Sequence, residues 1–263
     1  KGIMVGKSNG TYSSTRKFLP KTKITRDEAK KMMNRLKNKG KRFKLSYDGQ
    51  VLRIINLPKN YKDYPYILAS FPNSYYEKKM WYTKQRTKND KTPAQTAKIL
   101  SDEDKDLICE KVKKNLKLRL NIDYRKSLTS DWKEELSNTY RDTSLNRSLN
   151  AYVKAAKARK IVASSSQIVV DPSSLWTDKG GSSCYVRVYT KFRVKSGQVP
   201  SAKSSLQNEV IYGSYTALKN LSSKKTVTFM DEIKVNVSYT NGKMTSYGID
   251  WGGDSLADVI GNK

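Results

Sequence analysis

Most side-chain chemistry near neutral pH runs through histidine, and this chain of 263 residues contains none. That excludes Ser-His-Asp and Cys-His nucleophile arrangements, His-ligated zinc and the commonest general base. Cys109 and Cys184 stand far apart and belong to no CxxC or metal-ligand spacing, which argues against zinc. One disulfide can join them, and two unpaired buried thiols is the reading favoured here. Carboxylates remain as catalysts, but a glycosidase pair needs two acids facing each other across a cleft, a separation sequence does not show. The acids of "EKVKKNLKLRL" and "DWKEELSNTYRD" alternate with bases and read as solvated faces with local ion pairs. In "GIDWGGDS", Asp250 and Asp254 flank two glycines, yet the D-x-D-x-D spacing and closing Glu of a calcium loop are missing, so a turn is expected. No catalytic residue, metal ligand or cofactor site is expected.

A second pattern can bind without reacting. In "CYVRVYTKFRV" the residues Cys184, Val186, Val188, Phe192 and Val194 fall on one face of a strand. Tyr185, Arg187, Tyr189, Lys191 and Arg193 fall on the other. Tyrosines alternating with cations can stack on sugar rings or bases while meeting anions. The competing reading is that this face makes ordinary cross-strand pairs.

Anions are the partners the bulk charge calls for. The chain carries 52 Lys and Arg against 24 Asp and Glu, a net charge of +28. Residues 1–100 hold 25 basic and 6 acidic side chains, so the excess sits toward the N-terminus. Nucleic acid, anionic wall polymers and acidic lipid all suit such a field, and a Lys-rich solvated surface also explains it. No apolar run is long enough to span a bilayer.

The elements that must position these residues divide the chain. Thr25 followed by Glu28 forms a capping box, and Ala29, Met32, Met33 and Leu36 then line one face of a helix that Gly40 ends. Asp48-Gly49 between two alternating runs predicts a hairpin, and "YPYILASF" and "SYYEKKMWYT" read as further strands. Residues 1–40, a small β-rich module over 41–82 and a polar linker over 83–101 therefore precede a domain over 102–263. There Leu107, Ile108, Val112, Leu116 and Leu120 recur at helical spacing, and "TSDWKEELSNTY" opens a helix capped by Ser130 or Asp131, with "LNRSLNAYVKAAKA" continuing the helical period. Strands follow in "KIVASSSQIVV", "CYVRVYTKFRV", "NEVIYGSYTAL" and "KTVTFMDEIKVNVSYT", and Asn241-Gly242 closes a hairpin. Helices followed by antiparallel strands predict an α+β fold, sketched as a curved sheet wrapped on helices in the manner of NTF2 and cystatin cones.

The opening carries a more specific signal. "KGIMVGKSNG" followed by "FLPKTKITRDEAKKMMNRL" resembles the second half of an S-layer homology repeat. The matching residues are Gly2, Ile3, Gly6, Asn9, Gly10, Phe18, Pro20, Ile24, Thr25, Arg26, Glu28 and Leu36. Asp27 replaces the usual Ala, and extra residues between Gly10 and Phe18 let Tyr12 compete for the aromatic position. The resemblance implies an exported cell-surface protein of a Gram-positive bacterium, of clostridial or bacillar type. It also implies non-covalent attachment to an anionic secondary cell-wall polysaccharide. By the same resemblance the polymer groove involves Arg26, with Thr25 and Gly6 beside it. Such repeats act in sets of three, which implies that this one is the last of a set. The regions around "LPKNYKDYPYILASFPNSYYEKKMWY" and "NIDYRKSLTSDWKEELSNTY" look like those that accompany wall-attachment modules.

The expected protein is thus a non-enzymatic surface protein with a wall-polymer contact and a C-terminal domain for a ligand, a partner or other envelope components. Two alternatives stand beside it. One is a basic nucleic-acid-binding protein, and the other a carboxylate-based wall glycoside hydrolase.

Overall fold

A computed structural model describes residues 23–141, 149–150, 153, 156–158, 160–196 and 226–250. The chain divides into two compact units, Lys1–Lys78 and Lys79–Lys263, so the boundary falls well before the position near residue 100 that composition suggested.

In the first unit, helix α1 (Arg26–Lys37) starts where the capping box places it: Glu28 N–H donates to Thr25 Oγ1 at 3.2 Å and Thr25 N–H donates to Glu28 Oε2 at 2.8 Å. The helix ends before Gly40, at Asn38, and a 3-10 turn follows over Lys39–Lys41. Arg42 folds back to finish the cap, donating from Nε to the Arg35 carbonyl at 3.0 Å and from Nη2 to that of Leu36 at 3.2 Å. The Asp48-Gly49 hairpin forms, with Leu45 bridged to Val51 and Gly49 at φ 85°, a conformation that favours glycine.

The strands expected over 64–71 and 74–83 do not form. Leu68 makes a single bridge to Leu52, and "SYYEKKMWYT" divides between two short helices, α2 (Asn73–Glu77) and α3 (Trp81–Gln85). The reason is visible in the packing. Tyr75 and Tyr76 are adjacent, both fully buried, and their rings meet at 5.0 Å, whereas successive side chains of a strand point to opposite faces. Tyr75 stacks on Phe71 at 4.2 Å, and the Tyr76 hydroxyl accepts the Leu68 N–H at 2.9 Å. The "β-rich module" is a Tyr-centred cluster held by loops.

The second unit is α+β. A curled antiparallel sheet runs in sequence order through β1 (Ile122–Asp123), β2 (Val162–Thr177), β3 (Ser183–Ser196), β4 (Thr226–Thr240) and β5 (Lys243–Ile249). Asn241 and Gly242 take φ 50° and 75°, the paired left-handed geometry that matches the twist of the β4–β5 hairpin. Helix α5 (Asp102–Leu120) lays Ile108, Val112, Leu116 and Leu120 against the sheet, whereas Leu107 faces solvent at 38% exposure. Helix α6 (Ser130–Ser137) adds Trp132 and Leu136, and its cap is Thr129 rather than Ser130 or Asp131. Residues 149–150, 153 and 156–158 are helical, and "NEVIYGSYTAL" lies outside the described residues.

Residues 83–101, read from composition as a linker, belong to this unit. Thr92 and Gln95 form a capping box around Pro93 that starts α4 (Pro93–Thr96), and α4 packs on β2 with Thr96 fully buried. Asp90 ties the segment to the β2–β3 turn by accepting from Thr87 N–H at 2.7 Å and Lys179 N–H at 3.0 Å. Burial pushes its pKa up, but these bonds prevail and leave it lowered. Neither cysteine takes part in a disulfide. Cys109 is half-buried, and burial together with the charges of Asp178 and Asp104 pushes the Cys184 thiol up to about 12.

The sheet's last strand is closed by the segment after α6. Ile249 N–H donates to the Thr139 carbonyl at 2.9 Å and Arg141 N–H donates to the Ile249 carbonyl at 3.0 Å. Gly248 makes this approach feasible: a Cβ there would lie 2.5 Å from Arg141 N and 2.6 Å from Tyr140 C, both backbone atoms. Gly248→Ala should therefore cost about 2–3 kcal/mol in urea unfolding by overpacking. A loss below about 0.5 kcal/mol, within the range of a neutral surface change, would show that the 139–141 segment is not held against β5.

Candidate functional site

Thr25 and Arg26 sit at the exposed start of α1, and Gly6 lies outside the described residues. The Glu28 carboxylate already accepts the Thr25 amide at 2.8 Å, so a free anion meets the Arg26 guanidinium there before it meets open backbone donors. Around Arg26 the charge is dense. Residues 23–44 hold ten Lys and Arg against Asp27 and Glu28, and eight of the ten are exposed, Arg35 and Arg42 being half-buried. Arg42 is engaged with the helix end, and the Arg35 guanidinium lies 4.1 Å above the Phe43 ring. Met33 and Leu36 remain 52% and 51% exposed, so the apolar face read from the sequence exists without being buried.

The Tyr and Arg face of β3 is a different object from the open patch that alternation suggests. Its opposite face enters the core as expected, with Cys184, Val186, Val188 and Phe192 fully buried. The outward face is covered too, because α3 lies on it. Tyr185 stacks on Trp176 at 4.0 Å and meets Tyr82 at 4.8 Å. Arg187 and Tyr189 are 3% and 4% exposed. Lys191 is half-buried with its Nζ 5.7 Å from the Tyr189 ring, and only Arg193 is exposed.

The centre of this face is a row of charge. Asp171, Arg187 and Glu232 stand opposite one another in register across β2, β3 and β4. Arg187 Nε donates to Glu232 Oε1 at 3.3 Å, with the two side chains 3% and 1% exposed. Thr83 of α3 completes the group: its N–H donates to Glu232 Oε2 at 2.8 Å, and its hydroxyl donates to Glu232 Oε1 while accepting from Arg187 Nη2 at 3.3 Å. On the other flank β2 bulges between Asp171 and Trp176, Ser173 donates its N–H to Asp171 Oδ1 at 2.9 Å, and Ser174 Oγ accepts the Arg187 N–H at 2.8 Å. One row further, Lys234 pairs with Asp250 at 2.8 Å, a hydrogen bond that raises its pKa. Arg187, Glu232 and Thr83 satisfy one another, so this part of the row is a clamp within the sheet.

Among known proteins the chain matches no family model, no curated protein and no solved structure. Function therefore has to be argued from this geometry. Among the described residues no group of three or more His, Cys, Asp or Glu could hold a metal ion, and no helix is long and apolar enough to cross a membrane.

Sequence reasoning missed one residue of interest. Arg53 interrupts the apolar run "VLRII", and its Nε and Nη2 are buried without a hydrogen-bond partner. A lone cation inside such a run was the available signal.

The clamp makes a measurable demand. Removing one member of a buried pair strands the other, so Arg187→Met should cost about 3–5 kcal/mol. Arg187→Met/Glu232→Met, which removes both charges, should cost no more than the single change, and equilibrium unfolding of the pair of variants checks this. Additive losses would mean that the two residues do not act as a unit.

Proposed function

We propose that this is a non-enzymatic, exported cell-surface protein whose first unit holds an anionic secondary cell-wall polysaccharide non-covalently. Arg26 is the principal contact, with Thr25 and Gly6 beside it, following the resemblance of residues 1–36 to an S-layer homology repeat. The observation that carries the reading is the surface around α1, where Arg26 stands exposed beside a self-satisfied helix cap among eight exposed cations in 22 residues. A polyanion gains from many such contacts at once, each one weak and screened by salt.

The second unit is the ligand- or partner-binding part of the proposal, a curved sheet wrapped on α5 in the manner of NTF2 and cystatin cones. At the centre of its β2–β4 face Arg187 is paired with Glu232 and Lys234 with Asp250, so those two cations are matched within the unit.

The reading is tested by co-sedimentation of the chain with Gram-positive cell walls, before and after the secondary polymer is stripped, across a salt series. Polymer-dependent pelleting, about tenfold weaker in Arg26→Ala through loss of a charge-assisted bond, is the expected outcome. Pelleting that ignores both the stripping and Arg26 and disappears at modest salt would reduce the interaction to nonspecific adhesion of a +28 chain. Duplex DNA run in parallel separates the nucleic-acid alternative, which predicts equal or tighter binding there.

A further inference from the structure

Arg53 stands half-buried between half-buried Leu52 and exposed Ile54. It lies in "QVLRIIN", directly after the Asp48-Gly49 hairpin, and its backbone is held from both sides. Leu52 N–H donates to the Lys44 carbonyl at 2.9 Å, Arg53 N–H donates to that of Ile67 at 2.7 Å, and Ala69 N–H donates to that of Val51 at 2.8 Å. The place of the side chain is therefore set by a rigid frame.

Arginines elsewhere in the protein show what a guanidinium needs. Arg187 has Glu232 and Thr83, Arg125 reaches Asp123 at 2.6 Å, and Arg42 caps the carbonyls at the end of α1. Arg53 has neither a hydrogen bond at Nε or Nη2 nor an ion pair with a carboxylate among the described residues, although both nitrogens are buried. A cation cannot neutralise itself by losing a proton when it is a guanidinium, so burial without an acceptor is strongly unfavourable. The unmet donors are also a specific pair. Nε–H and Nη2–H point the same way along one edge of the guanidinium, which is the fork that receives two oxygens of a carboxylate or phosphate.

The surroundings favour such a guest. Residues 23–78 contain fourteen Lys and Arg against five Asp and Glu. Three of those five acids are engaged locally: Glu28 with Thr25, Asp48 with Ser46 and Gln50, and Glu77 with the Lys59 amide. The side chain as a whole is half-buried, although its Nε and Nη2 atoms are buried.

We propose that Arg53 is an oxyanion-binding site that receives a carboxylate or phosphate group of an external ligand through its Nε and Nη2 edge. The site is separate from Arg26 and does not depend on the wall-polymer reading. It acts on a single anionic group, whereas the α1 surface acts on a chain of them.

The test follows the Arg53 Nε–H resonance of the full chain by NMR while inorganic phosphate, and separately acetate, is added at constant ionic strength. The Arg53 signal is assigned by its loss in Arg53→Met. Expected are a saturable shift of that signal with at least one of the two anions, and a rise in thermal midpoint of about 4 °C at tenfold excess over Kd. In Arg53→Met, which keeps the apolar stem and removes the unmet charge, the midpoint should be equal or higher without anion, and most of the anion-induced rise should vanish. Saturation by phosphate alone identifies a phosphoryl ligand, and saturation by acetate a carboxylate. An Arg53 resonance unmoved by either anion would overturn the site. So would an equal midpoint rise in Arg53→Met, because that is general screening of positive charge. Neither result bears on Arg26, whose test reads wall binding.

Discussion

Arg187 carries a charge it cannot lose, in the middle strand of a sheet, at 3% exposure. Much of the second unit follows from accommodating it. An acid must stand opposite on β4, which fixes Glu232 in the register that also brings Val186 against Ile233 and Val188 against Asp231. A one-residue slip would turn Glu232 to the helix side and break the pair while exposing the core face. The carboxylate then has lone pairs left over, and α3 supplies the Thr83 amide and hydroxyl to meet them. Once α3 is held there, Tyr82 falls against Tyr185, and Tyr185 is sandwiched on Trp176. A buried pair of this kind is weak evidence for stability, because desolvation offsets the Coulomb gain. What it gives is a single permitted alignment of three strands and one short helix.

The other face answers to a simpler requirement. Burial of the apolar stripe of α5 against β2 to β5 is non-directional and tolerates changes of volume better than changes of pattern. The sheet is thus held on one side by area and on the other by geometry. Gly248 shows the same economy at the edge: it has no side chain, so the backbone of residues 139–141 comes close enough to bond with Ile249.

How far this was legible depended on range. Local signals read true: the Thr25–Glu28 box, the Asp48-Gly49 and Asn241-Gly242 turns, and the core face of β3 each depend on residues a few positions apart. The failures share a cause. Alternation in "CYVRVYTKFRV" says that two faces differ, but cannot say that both are covered, because the cover is Thr83 and Tyr82, about a hundred residues away in sequence. Polar composition made 83–101 look like a linker although Thr92-Pro93-Ala94-Gln95 is itself a helix start, a capping box with Pro in the first turn. Aromatic content made "SYYEKKMWYT" look like a strand, and the packing of Tyr75 against Phe71 overrode that propensity. Arg53 was overlooked since a lone cation between hydrophobic residues carries no periodicity.

The two units treat the same residue types in opposite ways. On the β2–β4 face of the second unit, Arg187 is matched with Glu232 and Lys234 with Asp250, so these charges cancel at short range and organise the sheet. Across residues 23–44 cations stand exposed with only two acids among them, and one of those, Glu28, is bound to its own helix cap. Paired charges fix a structure but attract little at a distance, whereas unpaired ones repel each other and are tolerated only where water or a partner screens them. The self-repulsion around α1 is reduced whenever a polyanion lies along it, so the first unit gains more from an anionic surface than it could gain folded alone in dilute salt.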